Sequence, residues 1–276
     1  MASSAMRSAA PRGVMVSRQS EKSCFLGTHR PMARRGCLSN ACMWKQIFAA
    51  CTFGLAAQAW ADGGLTDTES RWLNLSWPAV TYAREQGLPL DIVVQPQPTP
   101  GNAPMAMAFV DGRCKLVLSM RGNPDAQATL DEIPGPLLTP VVEAMAAHEL
   151  GHCWRYARGA WHTVPAGFAS TRQAETADPQ LGEQLREMQQ TRREEAFADL
   201  VGLAWTLQHH PKRYAEVHAW LMNFRRELLY PGSHHDTLAW IQLAADAGAF
   251  STADRTADTP FDQAWPLWQQ GLRAGE

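Results

Sequence analysis

The sequence lacks long apolar runs, an excess of basic residues, and any bias towards glycine or proline. No uninterrupted apolar stretch reaches the roughly 18 residues that a membrane-spanning helix needs, which argues against a multi-span membrane protein. Glycine (20) and proline (18) are near average usage in 276 residues, which excludes collagen-like and low-complexity chains. Residues 62–276 carry 17 basic and 26 acidic side chains, a net charge of −9. An acidic body repels phosphate backbones, which argues against nucleic-acid binding.

Residues 43–61 have the organisation of a secretory signal peptide. Lys45 supplies a short positive segment, and the apolar residues 47–57 that follow are too few to span a bilayer. Small residues occupy the positions that a signal peptidase reads, so cleavage is expected after Ala59 or Ala61. A buried N-terminal helix is the alternative interpretation. The signal peptide predicts export, to the periplasm or outside the cell.

The residues before this segment are rich in serine, arginine and alanine, without helical or strand periodicity. We interpret residues 1–42 as an upstream extension, with translation starting at Met43 or Met32. The predicted organisation is therefore a leader of residues 1–61, followed by a single domain of residues 62–276.

Cysteine is scarce beyond the leader. Four of the six cysteines lie in the leader, which leaves only Cys114 and Cys153 in the domain. An oxidising compartment would allow these two residues to form one disulfide. Two separate buried thiols are the alternative, since sequence spacing does not show whether the two Cα atoms lie within bonding range.

Strands are predicted first along the domain, and helices afterwards. Thr66 and Glu69 form a predicted capping box at a helix start, and Asp111 and Gly112 separate two apolar runs, as in a β-hairpin. The predicted strands cover residues 90–94, 105–110 and 114–120, a loop covers 121–137, and helices cover 138–158, 181–209, 212–228, 236–248 and 260–273. This order predicts an α+β fold, in which a small N-terminal hairpin or sheet packs on a mostly helical body.

Residues 148–152, His-Glu-Leu-Gly-His, carry the strongest chemical signal in the chain. His148 and His152 stand at positions i and i+4, so both imidazoles lie on one face of a helix and can bind one Zn²⁺ ion. Glu149 is the candidate general base that removes a proton from an attacking water molecule. A solvated helix face with coincidental histidines is the alternative. The apolar flanking residues favour a buried helix, where polar groups need partners, and so argue against it.

A catalytic zinc site needs a third protein ligand. A metzincin would have glycine and histidine three and six residues after His152, where this chain has Arg155 and Arg158, so that class is excluded. Residues 195–199 read Glu-Ala-Phe-Ala-Asp on the second long helix. The pattern His-Glu-x-Gly-His followed by Glu-x-x-Ala-Asp resembles the gluzincin metallopeptidases related to the CAAX prenyl proteases. The resemblance covers the two helices, at about residues 138–209.

The resemblance implies a zincin-like metallopeptidase fold with one Zn²⁺ ion. The implied ligands are His148, His152 and Glu195. The resemblance also implies that Asp199 accepts a hydrogen bond from the distal nitrogen of His148 and fixes the tautomer of that imidazole. An ordinary acidic pair on a surface helix is the alternative for Glu195 and Asp199.

The polar residues outside the ligand set have two predicted roles. Some lie on a solvated helix face, and others are candidates to donate a hydrogen bond to the oxyanion. Glu194 is offset from the implied ligand by about 100° around the helix, so we predict that it lies, with Arg192 and Arg193, on a solvated face. His234 and His235 occupy a segment similar to the family's Thr-His-Pro segment, with His234 at the histidine position. The segment departs from the pattern because histidine replaces proline. Either histidine is a candidate to stabilise the transition state, and a surface histidine pair is the alternative.

A polypeptide is the substrate that the resemblance implies. In zincins an edge strand before the active-site helix pairs with the extended substrate backbone, and Cys114–Met120 is the predicted strand at that place. Cys153 points away from the zinc face, which makes it a candidate disulfide partner of Cys114 rather than a ligand. The sequence therefore predicts an exported zinc endopeptidase with Glu149 as general base. A non-catalytic, zinc-stabilised protein-binding module and a metal-free helical protein are the alternatives, and the oligomeric state is not predicted.

Overall fold

The computed structural model describes residues 64–96, 103–168, 178–227, 230–250 and 259–274. The predicted leader lies outside the described residues. The described part is an α+β fold with a small sheet beside a mostly helical body, as predicted. None of the described helices combines the length and apolar character that crossing a membrane requires.

Seven helices and three strands are found in the described residues. The helices are α1 (Asp67–Glu85), α2 (Pro124–Glu132), α3 (Leu138–Ala157), α4 (Pro179–His209), α5 (Tyr214–Glu227), α6 (Leu238–Leu243) and α7 (Pro260–Ala274). The strands are β1 (Leu90–Pro96), β2 (Met105–Val110) and β3 (Arg113–Arg121). The predicted capping box of Thr66 and Glu69 is confirmed at the start of α1.

The clearest error of the sequence prediction lies before α3. Residues 121–137, predicted as a loop, contain α2 and a short 3-10 turn. Asn123 caps α2 by accepting a hydrogen bond from the backbone N–H of Asp125, and Pro124 occupies the first turn, where no N–H is needed. The residues that suggested a loop therefore start a helix.

The three strands form one mixed sheet in the order β1-β3-β2. β2 and β3 form the predicted hairpin, and Asp111 and Gly112 have the positive φ angles (52° and 74°) of a type I′ turn. β1 pairs in parallel with the other side of β3. The prediction that Cys114–Met120 is an edge strand is therefore wrong, because β3 has a neighbour on each side. The edges are β1 and β2, and β2 packs beside α3.

α3 and α4 pack against each other at close range in the centre of the molecule. A Cβ atom on Gly151 would lie 3.1 Å from the Cα atom of Ala198, and one on Gly202 would lie 2.8 Å from the carbonyl oxygen of Ala144. A larger residue at either position would push the helices apart. The two glycines therefore set the distance across which the side chains of α3 and α4 meet.

A disulfide joins the sheet to α3. Cys114 of β3 and Cys153 of α3 are bonded, with Cα atoms 5.6 Å apart and both side chains fully buried. Of the two interpretations of these cysteines, the disulfide is the one that the structure contains. Because Cys153 directly follows His152, the bond ties the histidine-bearing helix to the middle strand.

Removing this disulfide is expected to lower the free energy of unfolding by about 4 kcal/mol, because the bond constrains a long loop in the unfolded chain. The two cysteines are 39 residues apart in sequence. Urea denaturation of the oxidised protein, the reduced protein and the Cys114→Ala/Cys153→Ala variant measures the change. The last two should unfold at similarly reduced urea concentrations. Equal stability of all three forms would contradict this expectation.

Candidate metal centre

His148 and His152 of α3 meet Glu195 of α4 in the interior of the protein. Nε2 of His148 lies 3.1 Å from Nε2 of His152. The two carboxylate oxygens of Glu195 face them, with Oε2 at 3.5 Å from Nε2 of His148 and Oε1 at 3.5 Å from Nε2 of His152. His152 and Glu195 are buried, and His148 is largely so. The three side chains form a group that could hold a metal ion.

The spacing of the donor groups fits one small divalent ion. A tetrahedral ion with ligand bonds of about 2.0–2.1 Å has ligand atoms roughly 3.3–3.4 Å apart. The observed separations of 3.1 and 3.5 Å lie close to that value. Imidazole nitrogen and carboxylate oxygen are also donors that divalent first-row metals accept. The residues therefore fit such an ion in both geometry and chemistry.

Asp199 orients the first histidine. Nδ1 of His148 donates a hydrogen bond to Oδ1 of Asp199 over 2.9 Å. Asp199 lies one turn after Glu195 on α4, which places both carboxylates on the face that meets α3. With Nδ1 protonated, the lone pair of Nε2 points to the centre of the donor group. The structure thus brings Asp199 to the place that the resemblance implies.

Two residues that the sequence prediction missed complete the surroundings of Asp199. Arg225 of α5 donates from Nε and Nη2 to Asp199 over 2.9 and 2.7 Å, and Nη2 also reaches Glu195 over 3.2 Å. The Thr237 hydroxyl donates to Asp199 over 2.6 Å. All four side chains are buried. In the sequence, Arg225 resembles any basic residue in the last turn of a helix, so no local signal identifies it.

The carboxylates of the centre keep their negative charge despite burial. Burial alone would raise the pKa of Glu195, but the adjacent His148 and His152 hold that pKa well below its usual range. Burial also acts to raise the pKa of Asp199, and Arg225 and His148 together lower it. For His148, burial opposes the charged form, yet Asp199 and Glu195 raise its pKa to about 10. Both carboxylates are therefore ionised and can bind a cation, next to the guanidinium of Arg225.

Glu149 directly follows His148 on α3 and lines a cleft beside the same centre. His148 and Glu149 both line this cleft, whose walls come from α3, α4, α5 and the start of β2. The Glu149 side chain is buried, and burial raises its pKa above the ordinary value for glutamate. A carboxyl group with a raised pKa can both accept and return a proton near neutral pH.

Of the two candidate histidines after α5, the structure brings His235 to the centre. Nε2 of His235 lies 3.7 Å from Oε2 of Glu195, and His235 is buried, which lowers its pKa to about 3. His234 packs against the ring of His235, with ring centroids 4.0 Å apart. The interpretation of the two residues as a surface pair is wrong for His235.

The prediction that Glu194, Arg192 and Arg193 lie on a solvated face of α4 is also wrong. Glu194 and Arg193 are buried, and Arg192 is half-buried. Glu194 accepts two hydrogen bonds of 2.8 Å from Arg155 and a third from the backbone N–H of His162. The error has a simple cause. α4 is covered by α3 on one side and by α7 on another, where Trp268 donates to the carbonyl oxygen of Arg193.

Comparison of this chain with protein-family models, with curated proteins and with solved structures finds no match. The resemblance to gluzincins therefore rests on the motif residues of α3 and α4 alone.

Proposed function

We propose that this protein is an exported zinc peptidase with a zincin-like fold, similar to the gluzincins related to the CAAX prenyl proteases. The observation that carries the proposal is the convergence of His148, His152 and Glu195 around one point, with Glu149 buried beside them. Two histidines and one glutamate, with a further position open, are the ligand set of several catalytic zinc sites. Structural zinc sites instead use four protein ligands.

Zinc, when bound, supplies a Lewis acid that polarises a carbonyl group and lowers the pKa of a water molecule. The residues of the chain hold the ion and move the protons. Asp199 and Arg225 hold His148 and Glu195 in place through the hydrogen bonds described above. Without them, the two ligands could rotate away from a common point.

Glu149 is the proposed general base. It accepts a proton from water as the water oxygen forms a bond to the carbonyl carbon of the peptide. It then gives this proton to the amide nitrogen as the C–N bond breaks, which leaves a carboxylic acid and an amine. We assign His235 the role of donating a hydrogen bond to the oxygen that becomes negative, since it, rather than His234, lies beside Glu195.

The substrate backbone is proposed to lie along β2. β2 is an edge strand next to α3, and Pro104 and Met105 at its start line the cleft that contains His148 and Glu149. An extended peptide can add to such an edge through main-chain hydrogen bonds. This assignment moves the predicted substrate strand from β3 to β2.

The disulfide between Cys114 and Cys153 supports the export part of the proposal. Such bonds persist in the periplasm and outside the cell, whereas reducing systems keep thiols free in the cytosol. The proposed signal peptide at residues 43–61 gives the route of export.

The purified protein is expected to bind one zinc ion per chain and to hydrolyse casein and internally quenched peptides. Treatment with 1,10-phenanthroline should abolish hydrolysis, and one equivalent of zinc should restore it, because the ion is part of the catalytic centre. One tightly bound zinc ion without cleavage of any peptide would contradict the proposal and favour the non-catalytic binding module. Absence of bound zinc, with no change of melting temperature on chelation, would favour a metal-free helical protein.

A further inference from the structure

His152 differs from the other two proposed ligands in its surroundings. Asp199 accepts a hydrogen bond from Nδ1 of His148, and Arg225 donates one to Glu195. Nδ1 of His152 is buried as well, but it has no hydrogen-bond partner within the described part of the chain. When Nε2 of a neutral imidazole binds an ion, Nδ1 carries the proton. No polar contact therefore fixes the orientation of this ring, although metal-binding histidines almost always have one.

The indole ring of Trp161 packs against the imidazole of His152. The two ring centroids are 5.5 Å apart, and the ring planes meet at 75°. In such an edge-to-face arrangement, the positive edge of one ring meets the negative face of the other. The face of an aromatic ring is also a weak acceptor for an N–H group. Trp161 can therefore give His152 an orienting contact of the kind that Asp199 gives His148.

Trp161 is itself supported by other aromatic rings. It stacks on Tyr156, which lies one turn after His152 on α3, with ring centroids 3.9 Å apart and ring planes at 13°. Tyr156 also stacks on Phe109 of β2, over 5.2 Å. The ring of His162 stacks on Trp161 over 5.0 Å. Side chains from the helix, the sheet and the following segment thus restrict the movement of the indole.

The backbone after Trp161 is anchored to both long helices. The N–H of His162 donates to Glu194 of α4 over 2.9 Å, and Arg155 of α3 donates to the carbonyl oxygen of Thr163 over 2.6 Å. Glu194 and Arg155 are buried. A residue can position another only if it is held in place itself, and these contacts meet that condition for Trp161.

We propose that Trp161 is a positioning residue of the metal centre, whose indole face receives the Nδ1–H edge of His152 and so holds Nε2 towards the ion. This inference rests on the proposed function, because it assigns a role in binding the same zinc ion. The two histidines of α3 are then oriented by different means: a carboxylate holds His148, and an aromatic ring holds His152.

Two substitutions of Trp161 distinguish this role from packing alone. Trp161→Leu keeps apolar bulk but removes the aromatic face, whereas Trp161→Phe keeps an aromatic face. Competition with a chromophoric chelator measures the zinc affinity of each full-length variant. The dissociation constant for zinc should rise by about 10- to 100-fold in Trp161→Leu, the usual effect of losing an orienting contact to a ligand. Trp161→Phe should recover most of that loss.

Trp77→Leu is the matched control. Trp77 lies on α1 and is 41% exposed, so the same chemical change there should leave zinc affinity unaltered. Urea denaturation with zinc present shows that each variant is folded.

NMR spectroscopy of the zinc-loaded wild-type protein provides a test that needs no folded variant. The ring current of an indole shields a proton above its face, whereas a hydrogen bond to an oxygen atom deshields the donated proton. The Nδ1–H proton of His152 should therefore resonate upfield of the Nδ1–H proton of His148, which is bonded to Asp199. A downfield signal for His152, typical of a bond to oxygen, would overturn the inference.

Three results of the affinity measurements would overturn the role of Trp161 while leaving the peptidase proposal intact. The first is native zinc affinity in folded Trp161→Leu. The second is an equal loss in Trp161→Leu and Trp161→Phe, which packing alone would explain. The third is an equal loss in Trp77→Leu. A wild-type chain that binds no zinc would instead overturn both proposals.

Discussion

Glu149→Gln is expected to keep its zinc ion and to lose peptide hydrolysis by about 10²- to 10⁴-fold in kcat, the usual contribution of a general base. Glutamine has nearly the same shape as glutamate but does not accept a proton from water. Glu149 is absent from the group of three side chains that could hold the ion, so its replacement should not release zinc. Elemental analysis and a quenched-peptide assay measure the two properties on one sample.

Glu183→Gln is the matched control for this experiment. Glu183 lies on α4, and its side chain is 81% exposed, so the same chemical change there should alter neither zinc content nor hydrolysis. Hydrolysis by Glu149→Gln at the wild-type rate would contradict the assigned mechanism. Loss of zinc from this variant would instead show that Glu149 is needed to bind the ion.

Glu195→Gln is expected to lose stoichiometric zinc, whereas Glu194→Gln should keep it. Glu195 faces His148 and His152, but Glu194 points to the buried Arg155 on another side of α4. Losing the carboxylate of Glu194 leaves Arg155 as an unpaired buried charge, which should lower the free energy of unfolding by about 3–5 kcal/mol. The neighbouring substitutions should thus affect different properties: zinc affinity for one, stability for the other.

Competition with a chromophoric chelator gives the zinc affinity of each variant, and urea denaturation with zinc present gives the stability. Native zinc affinity in Glu195→Gln would contradict the ligand assignment. Native stability in Glu194→Gln would show that the pair with Arg155 contributes little to the fold.

The parts of the structure that sequence reasoning predicted are those encoded over short distances. The capping box of Thr66 and Glu69, the turn at Asp111 and Gly112, and the i, i+4 pair of His148 and His152 each depend on a few adjacent residues. Because Glu195 and Asp199 match a known motif, the predicted site also included residues of a second helix.

The parts that it did not predict depend on packing between distant elements. The parallel pairing of β1 with β3 places the supposed edge strand inside the sheet. α7 covers the face of α4 that the sequence predicts to be solvated, and Glu194 forms a buried ion pair with Arg155. Arg225 reaches Asp199 across 26 residues of sequence. No pattern within a single helix encodes such contacts, because both partners look like ordinary surface charges until the helices are placed.

A crystal structure of the zinc-loaded protein, with anomalous data at the zinc absorption edge, tests the proposed metal centre most directly. A single strong anomalous peak is expected at about 2.0–2.2 Å from Nε2 of His148, Nε2 of His152 and a carboxylate oxygen of Glu195. A peak at another place, or one without Glu195 among the ligands of the ion, would contradict the proposed ligand set.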